Sequence, residues 1–312
     1  MRSSIAEHIR ILRERRNAVI LAHNYTVPEV QDLADFVGDS LELAFRAAHV
    51  EADIIVFCGV HFMAETAKIL NPYATVLIPD RRAGCPMADM ITASQLRAAK
   101  AEHPGCVVVC YVNTPAKVKA ESDICCTSSN APAVIAGIEP SRPILFVPDR
   151  NLGQWAGETA GSAPILWDGY CPTHERIFPE FVRRSHQLHP EAVVVAHPEC
   201  TNPVRALADH VASTSGILDF CRSSPHPKFI IATEEGLLHR LRRENPHKTF
   251  IEASPRMRCP NMKLATAERV LWCLEDLSNE VTVDEKTVAQ ARRAIERMLG
   301  VASGPRPSAR DR

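Results

Sequence analysis

The feature that most constrains how this chain folds is a pattern that recurs three times along its 312 residues. Each copy begins with an apolar segment of strand length that ends in polar residues, at 18–25, 107–113 and 192–199. Two sets of residues align across the copies, the polar tips His23, Tyr111 and His197 and the following hydroxyl residues Ser40, Ser128 and Thr214. Within each set the members are 88 and 86 residues apart. A fixed period of this kind indicates three copies of one structural unit.

Each copy continues with two further apolar segments. The second segments lie at 53–61, 143–151 and 229–235, and the third at 74–80, 163–169 and 248–254. Helical patterns occur at 1–16, before the first copy, and at 31–50, 63–70 and 94–101 within it. Strands that alternate with helices predict parallel sheets with helices on both faces. We therefore predict an α/β protein of three homologous three-layer αβα units with parallel sheets, arranged about a pseudo-threefold axis.

The repeat also predicts domain boundaries and the place of the active site. We expect a first unit at 1–103 with an N-terminal helix, a second at 104–190, and a third at 191–300 with a C-terminal helix. The segment 301–312 is rich in Pro, Ser and Arg and is predicted to be disordered. Because parallel sheets present ligands at the carboxyl ends of their strands, the polar tips of the three copies should meet in one central site.

Three cysteines keep step with the same repeat. Cys85, Cys171 and Cys259 each follow a third strand, are 86 and 88 residues apart, and are each followed directly by a proline. Proline stiffens a turn and disfavours a helix or strand interior, so three thiols on such turns suit metal ligation better than core packing. Zinc with an open coordination site is possible. Three thiolates with no equally placed histidine favour an iron–sulfur cluster.

Composition excludes several classes of partner. The net charge of −1 and the pI near 6.9 give no reason to expect nucleic acid or an anionic membrane.

The longest apolar runs have strand length, and the N-terminal segment is charged throughout, unlike a secretory signal. Eleven scattered cysteines, an odd number, favour free thiols or metal ligands in a reducing compartment. We therefore predict a cytoplasmic protein.

Nine stretches that span nearly the whole chain resemble the quinolinate synthase family. They are LAHNYTVPEVQDLADFVGDSLELA at 21–44, CGVHFMAETAKILNP at 58–72, AGCPMADM at 83–90, YVNT at 111–114, CTSSNA at 126–131, DRNLG at 149–153, HPEC at 197–200, STSG at 213–216 and CPNMK at 259–263. The resemblance implies an enzyme of NAD (pyridine nucleotide) biosynthesis, a transferase that condenses iminoaspartate with dihydroxyacetone phosphate to quinolinate, phosphate and water. It also implies one [4Fe–4S] cluster per chain, whose open iron acts as a Lewis acid.

The resemblance further implies roles for individual residues. Cluster ligands would be Cys85, Cys171 and Cys259. Catalytic residues would be Tyr25 and Glu199, assisted by His23, His197 and Tyr111. Substrate would meet His23, Ser40, Tyr111, Val112, Asn113, Ser128, His174, His197, Pro198, Glu199 and Thr214. An aspartate-oxidising enzyme is the expected source of the unstable iminoaspartate.

Two other functions and several structural interpretations stay open at the level of sequence. The same three thiolates suit a zinc-dependent hydrolase or lyase, and the cluster alone suits a non-catalytic iron–sulfur sensor. Ser128 and Thr214 suit helix caps, which are common for such residues. His197 suits a hydrogen-bonded core histidine. The remaining thiols, among them Cys58, Cys106 and Cys273, suit simple packing.

Overall fold

The computed structural model of the protein describes residues 4–301 and contains three four-stranded sheets. Every strand pair within these sheets is parallel. The strands are β1 Ala18–His23, β2 Phe36–Gly38, β3 Ile54–Cys58, β4 Thr75–Leu77, β5 Val107–Tyr111, β6 Ile124–Cys126, β7 Ile144–Val147, β8 Ile165–Leu166, β9 Val193–Ala196, β10 His210–Val211, β11 Lys228–Ala232 and β12 Thr249–Glu252.

Helices cover the sheets. They are α1 Ile5–Arg15, α2 Pro28–Leu33, α3 Ser40–His49, α4 His61–Leu70, α5 Ala93–Glu102, α6 Ala116–Ala120, α7 Ala131–Ala136, α8 Arg150–Ala160, α9 Pro172–Glu175, α10 Pro179–Leu188, α11 Asn202–Arg205, α12 Thr214–Ser223, α13 Leu237–Glu244, α14 Ala267–Asp276 and α15 Glu285–Gly300. Two short 3₁₀ helices lie at Ala88–Met90 and Asn261–Lys263. No helix within residues 4–301 is long and apolar enough to cross a membrane.

All three sheets have the same strand order. The first is β2-β1-β3-β4, the second β6-β5-β7-β8 and the third β10-β9-β11-β12. The predicted fold class, three αβα units with parallel sheets, is thereby confirmed. The boundaries at 103/104 and 190/191 stay predictions. The tail predicted to be disordered lies outside the described residues from 302 onward.

The two C-terminal helices pack on the first and second units. Helix α14 lies against α1 and β3, and its Leu274 shares a core with Ile9 of α1. Helix α15 lies against α6 and β6, where Asn130 donates a hydrogen bond to the carbonyl of Met298 at 3.3 Å. The two helices at the end of the predicted third unit therefore connect that unit to the first and second units.

The single helix predicted at 31–50 is wrong, because a short strand interrupts it. The segment forms α2, then β2, then α3. Asp35, the residue before β2, turns its carboxylate back to accept the N–H of Ile20 in β1 at 2.8 Å. A side chain that bonds to neighbouring backbone competes with helix formation, and this one places the chain beside β1 instead.

The same aspartate contact occurs in every copy. Asp123 accepts the N–H of Val108, and Asp209 accepts the N–H of Val194, each at 2.8 Å. Each aspartate immediately precedes a short edge strand, and its own N–H donates to the carbonyl of the same partner residue. The three aspartates are 88 and 86 residues apart. They are therefore a part of the repeat that fixes how the edge strand pairs with the central one.

Replacing Asp123 by Ala should lower the free energy of unfolding by about 1–3 kcal/mol, because the N–H of Val108 loses its partner in a partly buried position. Urea unfolding of the purified variant measures this loss. The exposed Asp276 provides the control, and Asp276→Ala should change stability by less than about 0.5 kcal/mol. Equal stabilities of the two variants would contradict a bracing role for Asp123.

Candidate active site

One cavity lies where the carboxyl ends of the strands meet, and it encloses about 880 Å³ of empty volume including its open mouth. Residues from all three units line it. The predicted site residues among them are His23, Tyr25, Ser40, Cys85, Tyr111, Asn113, Ser128, Cys171, His174, His197, Glu199, Thr214 and Cys259. Val112 and Pro198 are not among the lining residues; Val112 borders a smaller neighbouring cavity.

Two histidines occupy equivalent positions at the carboxyl ends of central strands: His23 is the last residue of β1, and His197 directly follows β9. The Nδ1 atom of His23 accepts the backbone N–H of Tyr25 at 3.2 Å, and Nδ1 of His197 accepts the N–H of Glu199 at 3.3 Å. Because Nδ1 is an acceptor in both rings, the proton of the neutral imidazole lies on Nε2. His197 Nε2 lies 3.2 Å from the hydroxyl of Ser128. These two histidines therefore offer N–H donors at the cavity.

Burial keeps both histidines neutral. Desolvation lowers the pKa of His23 to about 4 and that of His197 to about 3, against the attraction of the nearby Glu199 carboxylate. Both side chains are buried. A neutral imidazole N–H can hold an anionic oxygen without first giving up a proton.

Glu199 is a buried carboxylate with strong donors on both oxygens. Tyr111 donates its hydroxyl to Oε1 at 2.6 Å, and His174 Nδ1 lies 2.7 Å from Oε2. Burial acts to raise the pKa of Glu199, but His174 and Tyr111 outweigh it and hold the pKa below its ordinary value. Burial raises the pKa of Tyr111, and the adjacent carboxylate raises it further. The site therefore holds an ionised carboxylate beside the neutral phenol of Tyr111 and the neutral imidazoles of His23 and His197.

Hydroxyl groups of all three units also line the cavity. Ser40 and Thr214 are the first residues of α3 and α12, and Ser128 lies shortly before α7. Ser129 bridges the units, because its hydroxyl bonds to Asp39 at 2.5 Å and to Ser213 at 2.8 Å. Helix starts favour anions. Asp39 already accepts the N–H groups of Leu41 and Glu42, so the hydroxyls of Ser40, Ser128 and Thr214 are the donors that this part of the cavity offers to carboxylates.

Each predicted ligand cysteine begins a short helical turn. Cys85 precedes the 3₁₀ helix Ala88–Met90, Cys171 precedes α9, and Cys259 precedes the 3₁₀ helix Asn261–Lys263. Backbone N–H groups three residues on, those of residues 88, 174 and 262, face the three sulfurs and act to lower their pKa. The proline after each cysteine suits this geometry, because it fits the first position of a helical turn.

The three thiols fit a cofactor that is larger than one ion. Burial raises the pKa of all three, that of Cys85 to about 12, and Cys85 interacts electrostatically with both Cys171 and Cys259. Thiolates in such a place need positive charge beside them. Tetrahedral zinc holds its sulfurs only about 3.8 Å apart. The three sulfurs do not form a group within 4.8 Å among the described residues, whereas a cluster several ångströms wide spans a wider set.

A different trio comes closer together. The ligand atoms of Cys171, His174 and Glu199 all lie within 4.8 Å of one another. His174 and Glu199, however, are 2.7 Å apart, which is a hydrogen-bond distance, whereas two ligands on one zinc ion would be about 3.3 Å apart. The trio is therefore a hydrogen-bonded pair beside a cysteine, with Nδ1 of His174 at 3.2 Å from the sulfur.

Sequence reasoning missed three residues beside the cavity: Thr233, Glu234 and Lys263. Glu234 accepts the N–H of Cys259 at 2.9 Å and pairs with Lys263, which also donates to the carbonyl of Tyr25 at 2.7 Å. These bonds tie the third cysteine loop to the loop of Tyr25. The sequence could have indicated two of them, because Thr233 and Glu234 directly follow β11, and residues at the carboxyl end of a parallel strand often face a ligand.

Comparison with known proteins gives one consistent family. The family model described as Quinolinate synthetase A protein matches residues 7–300. The quinolinate synthase of Geobacter metallireducens is 54% identical over 298 residues, which cover 96% of this chain and 98% of the relative. That of Desulforudis audaxviator is 54% identical over 297 residues, covering 95% and 98%. That of Geotalea uraniireducens is 52% identical over 297 residues, covering 95% and 97%.

The neutral histidines predict a loss of stability in mild acid. Below pH 6.5 the unfolded chain binds protons on these histidines, whereas folded His23 stays neutral to about pH 4 and His197 to about pH 3. The free energy of unfolding should therefore fall by about 1 kcal/mol per histidine per pH unit between pH 6 and 5. Urea unfolding at several pH values measures it.

The variant His23→Gln should show a shallower fall over the same range, because one of the two groups is gone. The exposed His8 gives the control, and His8→Gln should follow the parent protein. An unchanged slope in His23→Gln would show that folded His23 does not stay neutral.

Proposed function

The chain belongs to the quinolinate synthase family, and from that membership we propose how its cavity binds and converts the substrates. The enzyme condenses iminoaspartate with dihydroxyacetone phosphate to give quinolinate, phosphate and water, a step of NAD biosynthesis. One observation carries the assignment of this reaction to the cavity. The aligned polar residues of all three copies and the three cysteines line the same space.

Iminoaspartate carries two carboxylates, and the cavity offers neutral and backbone donors for them. Ser40, Ser128 and Thr214 supply hydroxyls near helix starts, where N–H groups favour anions. The Nε2–H groups of His23 and His197 add donors without adding charge. This set supports binding of a small dianion by many polar contacts.

Proton transfer falls to Glu199 and the two tyrosines. Glu199 is ionised and lines the cavity, so it can accept a proton from bound substrate. Tyr111 donates to it, and Tyr25 lies on the side of the first unit with its ring 4.6 Å from that of His23. Isomerisation, carbon–carbon bond formation and dehydration all need such proton transfers and no net redox change. His174 orients Glu199 through Nδ1.

Cys85, Cys171 and Cys259 would hold a [4Fe–4S] cluster, one per chain. When bound, its iron without a protein ligand supplies Lewis acidity toward substrate oxygen or nitrogen. Backbone N–H groups that face the sulfurs support this assignment, since such donors are typical of iron–sulfur ligands. The distance between the thiols argues against the zinc alternative. A non-catalytic sensor would not need the histidine, tyrosine and hydroxyl side chains that line the cavity.

Two further expectations stay proposals. A cytoplasmic location agrees with the state of the cysteines, because all eleven are free thiols. An aspartate-oxidising enzyme is the proposed source of iminoaspartate, because that imine hydrolyses readily in water.

An anaerobic assay with oxaloacetate, ammonia and dihydroxyacetone phosphate tests the function directly. Oxaloacetate and ammonia form iminoaspartate in solution, so quinolinate should appear and one phosphate should be released for each quinolinate. Absence of quinolinate from protein with a full complement of iron and sulfide would reject the proposal.

Each of the three variants Cys85→Ser, Cys171→Ser and Cys259→Ser should lose iron, sulfide, brown absorbance and turnover, because serine does not replace a thiolate ligand. Anaerobic purification followed by iron and sulfide analysis measures this. Cys106, a buried cysteine away from the cavity, provides the control, and Cys106→Ser should keep its metal content. Full iron content and activity in Cys171→Ser would remove Cys171 from the ligand set.

Glu199→Gln should reduce kcat by roughly 10²–10⁴-fold at equal cluster content, because the amide keeps the shape but cannot take a proton. Steady-state kinetics with both substrates measure the effect. The exposed Glu102 gives a control, and Glu102→Gln should match the parent enzyme. A normal rate for Glu199→Gln would exclude this carboxylate from proton transfer.

A further inference from the structure

We propose that three buried polar side chains, one in each copy of the repeat, are positioning residues that hold the turns on which the catalytic side chains lie. This inference rests on the function proposed above. The three residues are Gln31, Lys119 and Arg205, and they are 88 and 86 residues apart, which is the spacing of the polar tips. All three side chains are buried and none of them lines the cavity, so they act on substrate only through the residues that they hold.

The three residues occupy the same place in the local structure. Each is the fourth residue of the short helix that follows a central strand, in α2, α6 and α11. Each side chain donates to the backbone carbonyl of the residue five positions earlier, which lies two residues before the helix begins. The bonds run from Gln31 to Thr26 at 2.9 Å, from Lys119 to Thr114, and from Arg205 to Cys200 at 2.5 Å. At many helix starts an apolar pair at these two positions fixes how the chain enters the helix, and here a hydrogen bond takes that role.

The carbonyls that accept these bonds end the turns that carry the central residues of the cavity. The turns are 23–26, 111–114 and 197–200, and their cavity-lining residues include His23 and Tyr25, Tyr111 and Asn113, and His197 and Glu199. Within residues 4–301 no backbone N–H donates to the carbonyls of Thr26, Thr114 and Cys200, and all three residues are buried. A buried carbonyl without a donor is costly, so each turn depends on one side chain of the helix that follows it.

Packing alone does not explain two of the three donors. Lys119 and Arg205 are cations, and burial lowers the pKa of both, because a charge inside the protein is unfavourable. The ammonium of Lys119 lies 5.4 Å from the centre of the Phe62 ring. An apolar side chain would fill the same space without a buried charge. Gln31 makes the equivalent contact with a neutral amide, so the property that the three residues share is donation to a carbonyl and not charge.

Lys119 gives the clearest case, because the turn that it holds reaches Glu199. Thr114 accepts from Lys119 and donates its own hydroxyl to the carbonyl of Tyr111 at 3.0 Å. The hydroxyl of Tyr111 in turn donates to Glu199 at 2.6 Å. Loss of the ammonium should free the Thr114 carbonyl and loosen the turn, which misplaces Tyr111 against the carboxylate. A displacement of about 1 Å at a catalytic group can reduce a rate by roughly 100-fold.

Kinetics of Lys119→Met test the proposal in the purified holoenzyme, since methionine keeps the apolar stem of lysine and removes the donor. We expect kcat to fall roughly 10- to 100-fold at unchanged iron and sulfide content. Lys119→Gln carries the donor that the first copy uses at this position, so it should recover most of the rate. Lys117→Met is the control, because Lys117 lies exposed on the same helix, and this variant should match the parent enzyme.

Amide hydrogen exchange measures the turn itself and does not depend on the reaction. Peptides that cover 111–114 should exchange roughly 2- to 10-fold faster in Lys119→Met than in the parent protein, because one hydrogen bond that holds the turn is lost. Lys119→Gln and Lys117→Met should exchange like the parent protein. Mass spectrometry of the deuterated peptides gives these rates.

Three outcomes would overturn the proposal: unchanged exchange in Lys119→Met, a normal kcat despite faster exchange, or a loss of rate that Lys119→Gln does not restore. If Lys119→Met does not fold, Gln31→Met and Gln31→Lys replace the pair, with peptides that cover 23–26 as the measured segment. A parent enzyme that makes no quinolinate would instead reject the proposed function, and exchange would still decide whether Lys119 holds its turn.

Discussion

Several buried polar groups at the centre of this molecule find partners across the boundaries between copies of the repeat, and the rest of the structure depends on those contacts. Tyr111 bonds to Glu199, Asn24 donates to Thr214 at 2.9 Å, and Ser129 lies between Asp39 and Ser213. A buried polar group without a partner costs about 1–3 kcal/mol. The three sheets must therefore face one another with their carboxyl ends inward, which encloses the cavity.

Within this shared centre, similar burial produces opposite charge states. His23 and His197 lose their charge, because desolvation is stronger than the attraction of Glu199. Glu199 keeps its charge, because His174 and Tyr111 both point donors at it. Groups whose environments drive their pKa values apart are typical of sites that transfer protons. The same contacts that hold the units together thus prepare the acid–base chemistry.

The three cysteine loops share one local geometry. Each places a sulfur at the start of a helical turn, where a following proline fixes the chain and backbone N–H groups face the sulfur. The third loop is joined to the first unit through the pair of Glu234 and Lys263. A cofactor held by these loops would touch all three units, so its binding would stabilise the arrangement of those units around the cavity.

The sequence by itself determined the repeat, the parallel αβα units and the set of residues that could meet. Spacings of 86 and 88 residues and apolar runs of strand length carry that information, because they depend on local pattern alone. The prediction of a single helix at 31–50 was wrong, because the carboxylate of Asp35 bonds to β1 and a short strand replaces part of that helix. Only the tertiary structure decided the state of the central groups. Ionisation of Glu199 depends on donors that lie far from it along the chain. The hydrogen bonds of Tyr111 with Glu199 and of Tyr25 with Thr233 join residues 88 and 208 positions apart, and local sequence does not predict them.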